Sequence, residues 1–476
     1  MGADGGRELD LAIIGGGVAG TRVAHAMQQA RPHWSIALFE RTDRIGGRLR
    51  SVRVDGRDHP IELGGMRYLT DQQRVSAIVE GFQLPTHPFY TIGAPERRFL
   101  RGVVSAPDDP DAGIGYDLPS SERGRSALAL ALDAFERIVP GYRDLDHDGF
   151  AERRATGRYL DRPLIDWSIG EALATVLSPE GQRFVTDAFG YDSGMRAFTA
   201  PDLIEFLFGG GDPNAEARTP DDGMDRIPHE LAAGFEAGGG NVHLGHEFER
   251  LAIDNGAVAL RFASGRVGRA RRVVLTVPVP ALRRLMSNSP DLRSEAYSRL
   301  VDSVEGFPAM KLYLWYDTPW WRPAIAGIRT TTDLPIRKVF YFDGTPGSRS
   351  ALLAMYTDGL DVRPWAELYK AAPPGAPAPP ALLAGVQDAL VATHPDVGEI
   401  PPPAGSTLMY WGADPLEVGW HFWRPGAISD EMIALAPQPD AALPVYLATE
   451  AFSRRQSWVE GALEAADVVV TRLAPV

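Results

Sequence analysis

The sequence of 476 residues contains no cysteine. Disulfide bonds and reactions that depend on a cysteine thiolate are therefore excluded, and the absence fits a reducing compartment, so we expect a cytoplasmic protein. Basic residues are few relative to acidic ones, because 48 Lys and Arg stand against 62 Asp and Glu, for a formal net charge of -14. Nucleic acids and anionic membrane surfaces attract basic proteins, so we expect neither as a partner.

Long hydrophobic runs are also missing. No stretch of 18 apolar residues occurs, and no membrane-spanning helix is predicted. Residues 1–10 are polar and glycine-rich and lack an apolar segment behind a basic start, so no signal peptide is predicted either. The length exceeds what one hydrophobic core normally holds, and we expect two or three domains.

The first motif begins with a short apolar run at residues 11–14, Leu-Ala-Ile-Ile. Such a run is typical of a strand buried on both faces of a parallel sheet. Gly15, Gly17 and Gly20 follow with the spacing G-x-G-x-x-G, which provides a tight turn, close approach to a pyrophosphate and close packing of helix on strand. We predict a dinucleotide site with its phosphates at the N-terminus of the next helix.

The residues that follow support this prediction. Residues 18–30 are helix-forming, Pro32 ends the helix, and residues 35–39 form a predicted strand that ends at Glu40, twenty residues beyond Gly20. An acid at this distance binds a ribose 2′-hydroxyl in dinucleotide sites. The glycine spacing alone would also fit a turn in an unrelated sheet, but the strand, helix and acid together favour the nucleotide site. Which dinucleotide binds is open at this point.

Two glycine pairs come next. Residues 41–48, Arg-Thr-Asp-Arg-Ile-Gly-Gly-Arg, suggest a second turn that contacts phosphate, and residues 62–68, Glu-Leu-Gly-Gly-Met-Arg-Tyr, place backbone where a flat ring could approach. At these motifs the chain resembles the flavin-containing amine oxidase family, and its pattern is most similar to the FAD-dependent L-amino acid oxidases. The double-glycine arginine motif is more specific than the first fingerprint and indicates FAD rather than NAD.

The resemblance extends from Gly15 to Gly461. Residues 445–450 read as a strand that ends in an acid, and a helix begins after Trp458, with its N-terminus toward the flavin pyrimidine. Thr449 and Ser457 stand where the family usually has glycine, so we expect a slightly different backbone approach there. The resemblance implies that FAD is contacted by Gly15, Gly17, Ala19, Gly20, Glu40, Arg41, Gly47, Arg48, Gly64, Gly65, Met66, Arg67, Phe248, Glu450, Trp458 and Val459.

Three residues are candidates for catalysis. Lys311 lies in a strand-like segment where a lysine would ordinarily keep its amine in solvent, but the resemblance implies a lysine that holds a water against flavin N5. Tyr356 follows by 45 residues, a spacing similar to that of the carboxylate-binding tyrosine of L-amino acid oxidases, and a half-buried strand tyrosine is an equal alternative. Arg67 is predicted to bind the substrate carboxylate, the alternative being an ion pair with a flavin phosphate or a nearby acid. The predicted substrate pocket is lined by Trp420, Phe422 and Trp458, which favour large or aromatic substrates.

A helical segment covers residues 128–208. Its first helix is predicted to face the core through Leu128, Leu132, Phe135 and Ile138. Residues 144–149, Asp-Leu-Asp-His-Asp-Gly, match the first half of an EF-hand calcium loop, but Ala155 stands where the loop needs a glutamate. We therefore favour a solvated acidic turn and predict no bound metal.

The predicted fold is α/β, with a Rossmann-like FAD-binding domain, a mixed-sheet substrate domain and a helical insertion, as in the amine oxidases. Residues 241–251 and 272–277 are each predicted to form one strand of the FAD-binding domain. The predicted boundaries are 8–51, 227–306 and 431–476 for the FAD-binding domain, 52–121 and 307–430 for the substrate domain, and 122–226 for the helical domain.

The resemblance also implies an activity. An L-amino acid would be oxidised to an imine that hydrolyses to a 2-keto acid, with FAD as the hydride acceptor and dioxygen reduced to hydrogen peroxide. Oxidative decarboxylation of an amino acid and oxidation of a simple amine remain open within the family. Outside it, the alternatives are a flavoprotein without turnover and an NAD-dependent dehydrogenase, which the glycine pairs disfavour. The expected partners are an amino acid or amine and dioxygen, and a homodimer is open.

Overall fold

A computed structural model describes residues 8–89, 96–209, 211–212, 214–325, 327–369 and 375–475. The strands in these residues are β1 (Leu11–Ile14), β2 (Ile36–Phe39), β3 (Ser51–Val52), β4 (Ile61–Glu62), β5 (Tyr68–Leu69), β6 (Thr86–Pro88), β7 (Glu96–Leu100), β8 (Val103–Ser105), β9 (Arg158–Tyr159), β10 (Arg162–Pro163), β11 (Ala217–Pro220), β12 (Asn241–His243), β13 (Phe248–Asp254), β14 (Ala257–Phe262), β15 (Val267–Ala270), β16 (Val273–Leu275), β17 (Val304–Phe307), β18 (Ala309–Tyr316), β19 (Arg329–Thr332), β20 (Lys338–Phe342), β21 (Ser350–Asp358), β22 (Gly405–Trp411), β23 (Trp420–Trp423) and β24 (Val445–Leu447).

The α-helices in the same residues are α1 (Val18–Ala30), α2 (Gln73–Gly81), α3 (Ala127–Ile138), α4 (His147–Thr156), α5 (Ile169–Ala174), α6 (Pro179–Phe189), α7 (Asp192–Ala197), α8 (Ala200–Phe208), α9 (Arg226–Ala237), α10 (Val279–Asn288), α11 (Glu295–Ser303), α12 (Arg363–Ala366), α13 (Pro380–Thr393), α14 (Ser429–Leu435) and α15 (Val459–Leu473). Within the described parts of the chain, no helix is long and apolar enough to span a bilayer.

A five-stranded parallel sheet forms the nucleotide-binding half, in the order β12-β2-β1-β16-β24. Every residue of β1 is buried. Leu11 and Ile13 pack into one core cluster, while Ala12 and Ile14 pack into another on the opposite face. A strand covered on both faces must be apolar at every position, which explains the uninterrupted run at residues 11–14.

Residues 241–251 do not form the single strand predicted for them. They divide into β12, in the parallel sheet, and β13, which pairs with β14 in a separate sheet of three strands. Gly245 has φ +69° between the two and donates its N–H to the carbonyl of Thr42. A left-handed residue turns the chain, so the two strands separate.

A seven-stranded mixed sheet forms the other half, in the order β22-β18-β21-β20-β19-β7-β8. Its pairs are antiparallel except β19 with β7. Lys311 of β18 lies opposite Tyr356 of β21, and Tyr356 lies opposite Lys338 of β20. Lys311, Tyr356 and Lys338 therefore form a row of side chains across three neighbouring strands.

Helices α3 to α8 form the helical region, and the predicted core face of α3 was partly wrong. Leu128 is 53% exposed, whereas Phe135 and Ile138 are buried as predicted. Leu132 is only partly buried. The buried face consists of Ala127, Leu130, Ala131, Ala134, Phe135 and Ile138. Alanines make up half of this buried face. The face is rotated by about one residue position around the helix from the face predicted from the leucines.

The acidic segment at residues 144–155 is not an open loop. Helix α4 occupies most of it, and the side chain of Asp146 caps that helix by accepting from the N–H of Gly149 at 2.9 Å. An aspartate at a helix N-cap satisfies a backbone donor that would otherwise lack a partner. The prediction of a solvated turn is therefore wrong for this part of the segment, since Asp146 caps α4 and Asp148 lies in its first turn.

The domain boundaries stay a prediction. Strands of the parallel sheet come from residues 11–39, 241–275 and 445–447, which lie within the three segments assigned to the FAD-binding domain.

Candidate active site

A cavity of about 470 Å³ extends from the glycine turn after β1 to Trp420, along the seven-stranded sheet. It lies beyond the carboxyl ends of the parallel strands, where α/β folds bind nucleotides. All residues predicted to contact FAD line it except Gly20, which packs inside the turn. The individual FAD contacts stay predictions, but the structure brings these residues to one cavity.

The glycine turn has the geometry that its spacing predicts. Gly15 has φ +114°, and a Cβ atom on Gly20 would lie 1.9 Å from the carbonyl oxygen of Gly15. A Cβ on Gly17 would meet only the Cα of Gly47, at 3.9 Å, so its outer side is open. Helix α1 has neither a side-chain cap nor an acid in its first turn. Its first N–H groups are therefore available to an anion in the cavity.

Glu40 stabilises this turn. Its Oε2 accepts from the N–H of Gly16 at 2.7 Å, and its Oε1 accepts from the N–H and hydroxyl of Thr42 at 2.9 Å. Arg41 contacts the cavity while its guanidinium pairs with Asp414 at 2.7 Å. If Glu40 also binds the ribose as predicted, its carboxylate would contact the cofactor while it holds the backbone N–H groups of Gly16 and Thr42.

Glu450 lies in a buried ion network. Its oxygens accept two hydrogen bonds from Arg48, at 2.9 and 2.6 Å, and one lies 3.0 Å from Nδ1 of His421. Burial disfavours the charged carboxylate, but the charges of Arg48 and His421 hold the pKa of Glu450 well below its usual range. The network joins the turn at Gly47 to the end of β24. The sequence around His421 contains no motif that predicts its contact with Glu450.

Lys311 is buried at the floor of the cavity. Its ammonium donates to the carbonyl oxygen of Glu62 at 3.2 Å and to that of Gly64. Burial lowers its pKa to about 7, against the opposing charge of Glu62. Burial likewise raises the pKa of the Glu62 carboxyl to about 8, although Met224 N–H and the Ser51 hydroxyl bind it. The lysine can therefore change protonation near neutral pH, and it holds the backbone of the glycine pair.

Gly64 and Gly65 have no room for side chains. A Cβ on Gly64 would lie 1.9 Å from the carbonyl oxygen of Arg48, and one on Gly65 would lie 2.8 Å from a methyl of Leu49. Gly64 thus packs directly against the backbone of Arg48, while Gly65 packs against the side chain of Leu49, so no side chain projects from this wall of the cavity at the glycine pair.

Arg67 and Tyr356 reach the same end of the cavity. The guanidinium of Arg67 lies 5.1 Å from the ring centre of Phe89 and 5.8 Å from that of Trp458. The Lys311 ammonium lies 4.7 Å from the centre of the Tyr356 ring. Burial raises the pKa of Tyr356, so its hydroxyl keeps its proton and can donate it in a hydrogen bond.

Tyr191 and Ser193 were missed by the sequence analysis. The Tyr191 ring meets the edges of Tyr356, at 5.4 Å, and Trp420, at 6.2 Å. Trp420 donates its indole N–H to the Ser193 hydroxyl at 3.1 Å, and that hydroxyl donates to Asp358. Both residues lie in the helical region, where a lone tyrosine and serine carry no recognisable pattern.

The other predicted pocket aromatics also line the cavity. Phe422 stacks on Phe198 with ring centres 4.4 Å apart, which makes it part of the core as well. Trp458 precedes α15, and Ser457 before it has φ +64°. A left-handed backbone favours glycine, so it fits the glycine that the family resemblance implies at that position.

One group of three possible metal ligands occurs in the described residues, namely His59, His87 and Asp221. The two rings stack with centres 3.9 Å apart, and Nδ1 of His87 lies 2.9 Å from Asp221. None of the three lines the cavity. The absence of a metal stays a prediction.

The family is decided by comparison with known proteins. The family model for "flavin containing amine oxidoreductase" matches residues 18–473. The chain belongs to this family. This flavin-containing amine oxidoreductase is therefore an FAD-dependent enzyme, since FAD is the flavin of the family. The open side of Gly17 and the uncapped start of α1 fit the pyrophosphate of that cofactor.

Individual relatives cover most of the chain. Aplysianin-A of Aplysia kurodai is 26% identical over 97% of this chain and 89% of its own length. An L-amino-acid oxidase of Siganus canaliculatus is 26% identical over 73% of this chain and 65% of its own length. The structure of wild-type putrescine oxidase bound to putrescine covers 98% of this chain and 99% of its own at a TM-score of 0.73 and 16% identity, which establishes a shared fold.

Proposed function

We propose that this amine oxidoreductase deaminates an L-amino acid oxidatively, with release of a 2-keto acid and ammonia and reduction of dioxygen to hydrogen peroxide. The observation that carries the proposal is the guanidinium of Arg67 at the aromatic end of the cavity, directly after the Gly64-Gly65-Met66 turn. A fixed arginine pairs with a carboxylate through two parallel hydrogen bonds. The similarity to proteins named L-amino-acid oxidase supports the same substrate class.

When bound, FAD would supply the redox chemistry, as the acceptor of a hydride from the substrate carbon that bears the amine and as the donor of electrons to dioxygen. The glycine turn and the start of α1 would hold its pyrophosphate, and the wall at Gly64 and Gly65 would lie against its ring. The Arg48–Glu450 pair fixes the two segments around it.

The side chains at the aromatic end orient the substrate. Arg67 binds the carboxylate, and the Tyr356 hydroxyl donates a further hydrogen bond to it. Tyr191 and Trp420 exclude water from the reacting carbon, since both line the cavity beside Tyr356. Lys311, whose pKa of about 7 lies close to neutral pH, can hold a water or take up a proton at Nζ.

Two reactions remain as alternatives, namely oxidative decarboxylation of an amino acid and oxidation of a simple amine. The likeness to putrescine oxidase does not favour the second, because it extends to the fold alone. A cytoplasmic location, a homodimer and the absence of nucleic-acid or membrane partners stay predictions.

The test uses the FAD-loaded enzyme with L-amino acids, D-amino acids and the amines that decarboxylation of each would give. Peroxide, ammonia, carbon dioxide and the keto acid are measured, because a 2-keto acid with ammonia marks deamination and carbon dioxide with an amide marks decarboxylation. Oxidation of simple amines as efficiently as the amino acids would contradict the proposal.

Substitution of Arg67 sharpens the result. Breaking a desolvated charge pair on one side costs about 2–5 kcal/mol, so Arg67→Ala should lower kcat/KM for the amino acid by about 30-fold to several thousand-fold. The decarboxylated amine should be affected far less. Tyr356→Phe removes one hydrogen bond to a charged group, about 1.5–3 kcal/mol, and should cost less. Arg53→Ala, at an exposed arginine paired with Asp222, is the control.

A further inference from the structure

A second lysine lies on the same face of the seven-stranded sheet as Tyr356, one strand beyond it and next to Tyr191, which lines the cavity. Lys338 of β20 lies opposite Tyr356 of β21, which lies opposite Lys311 of β18. Residues directly opposite each other share a face, and strands lie about 4.8 Å apart, so the Cα atoms of the two lysines are separated by about 10 Å. Lys338 therefore belongs to the same row of side chains as the proposed substrate-binding residues.

Lys338 is buried without a counter-charge. Its side chain is among the buried polar groups, with 6% of the residue exposed. Its ammonium lies 4.2 Å from the ring centre of Tyr191, and among the described residues it makes no hydrogen bond within 3.5 Å and no ion pair within 4.0 Å. Lysine is almost never buried unless it is paired. A ligand that brought an anion to this position would relieve that cost.

The charges around Lys338 are mostly positive. Burial is the main reason why the pKa of Lys338 lies well below its ordinary value, and Arg329, Arg67 and Arg337 lower that pKa further. Glu96 opposes them, but its carboxylate already binds Arg329. The surroundings therefore disfavour a second cation and favour an anionic group.

Tyr191 connects Lys338 to the cavity. The Lys338 ammonium lies 4.2 Å from the centre of this ring, and the ring packs in T-shaped contacts with Tyr356 and Trp420 at the substrate end. Lysine carries its charge on a flexible chain of four carbons, so it can follow a group that reaches the Tyr191 ring. Lys338 thus adjoins Tyr191 and Tyr356, the two tyrosines that line the cavity beside the proposed α-carboxylate site.

We propose that Lys338 binds the side-chain carboxylate of an acidic L-amino acid, whose α-carboxylate is held by Arg67 and Tyr356. The inference rests on the proposed function and assigns its substrate class. L-glutamate and L-aspartate differ by one methylene. Whichever of the two has the higher kcat/KM will therefore indicate the distance between the two carboxylate-binding sites.

The test compares each acid with its neutral isostere on the FAD-loaded enzyme. The wild type should oxidise L-glutamate or L-aspartate with a higher kcat/KM than the matching amide, L-glutamine or L-asparagine. In Lys338→Met this acid-to-amide ratio should fall by about 30-fold or more, the fold-change expected when one partner of a buried charge pair is removed. Lys338→Arg should restore most of the ratio, because it returns a cation to the same position.

A binding measurement gives a second readout. Glutarate, which has two carboxylates and no amine, should bind the FAD-loaded wild type more tightly than butyrate by titration calorimetry, and Lys338→Met should remove the difference. A wild-type ratio at or below one for both acid–amide pairs overturns the proposal, even if no variant folds. An unchanged ratio in Lys338→Met also overturns it and leaves the lysine a structural role against Tyr191. Oxidation of neutral amino acids alone would refute this inference and retain the proposed function, whereas oxidation of amines alone would refute the proposed function.

Discussion

Arg48→Leu tests whether the buried ion network holds the cofactor site together. Arg48 is 27% exposed, but its partner Glu450 is only 3% exposed, so the substitution leaves a carboxylate in the interior with His421 as its remaining partner. Removing one member of a buried pair costs about 3–5 kcal/mol. Because His421 lies 3.0 Å away and remains as a hydrogen-bond partner of the carboxylate, we expect the lower end, about 3 kcal/mol.

The assay is urea unfolding of the FAD-free protein, followed by tryptophan fluorescence, together with FAD retention on dialysis. Arg53→Leu is the matched control, because Arg53 and Asp222 are 64% and 56% exposed and such pairs contribute at most about 1 kcal/mol. The double variant Arg48→Leu with Glu450→Gln should recover stability, since it removes the unpaired charge. A loss no larger than that of the control would refute the reasoning.

The acid side of the stability profile provides a further check. Glu450 has a folded-state pKa below its unfolded value of 4.5, so its contribution is present above that pH and is lost as the pH falls toward the folded value. Arg48→Leu should therefore weaken this dependence.

Three other substitutions test the remaining features of the site. Gly20→Ala places a Cβ 1.9 Å from the carbonyl of Gly15, so it should cost about 1–3 kcal/mol in urea unfolding and reduce FAD retention, and an unchanged protein would contradict the packing. Lys311→Met should keep FAD, slow turnover in stopped-flow measurements and remove an ionisation near pH 7 from the rate profile; unchanged rates would make the lysine structural. Because the folded pKa of Lys311 lies below 10.5, wild-type stability should rise between about pH 7 and 10.5 relative to that variant. Ser457→Gly should raise the melting temperature slightly, since a left-handed residue other than glycine costs about 1–2 kcal/mol, and a lower melting temperature would show that its hydroxyl matters more.

The local parts of the fold were predictable from the sequence. Gly15, Gly17 and Gly20 specify their turn through backbone geometry. An apolar run of four residues that ends at glycines is typical of a buried strand. The errors arose where tertiary contacts decide. Leu128 matched a helical pattern but faces solvent, because small alanines let the other side of α3 pack closely.

The site was predictable only as far as its motifs extended. Glu450 was recognised as an acid of the nucleotide region, but its pairing with His421 joins residues far apart in the chain. Lys338 carries no motif, and its position became evident only from the strand register that places it beside Tyr356. The prediction of large or aromatic substrates rested on Trp420, Phe422 and Trp458, which line the cavity. These aromatic residues give no indication of the Lys338 ammonium beside Tyr191.

The order of the parallel sheet has a consequence for the timing of biosynthesis. β1 is paired with β16, and β16 is flanked by β24, so residues 445–447 must be translated before the sheet is complete. Glu450 and the start of α15, which complete the cofactor cavity, are translated later still. The nascent chain therefore cannot close its flavin site until these residues have left the ribosome, and the closed site can hold the cofactor only after that point.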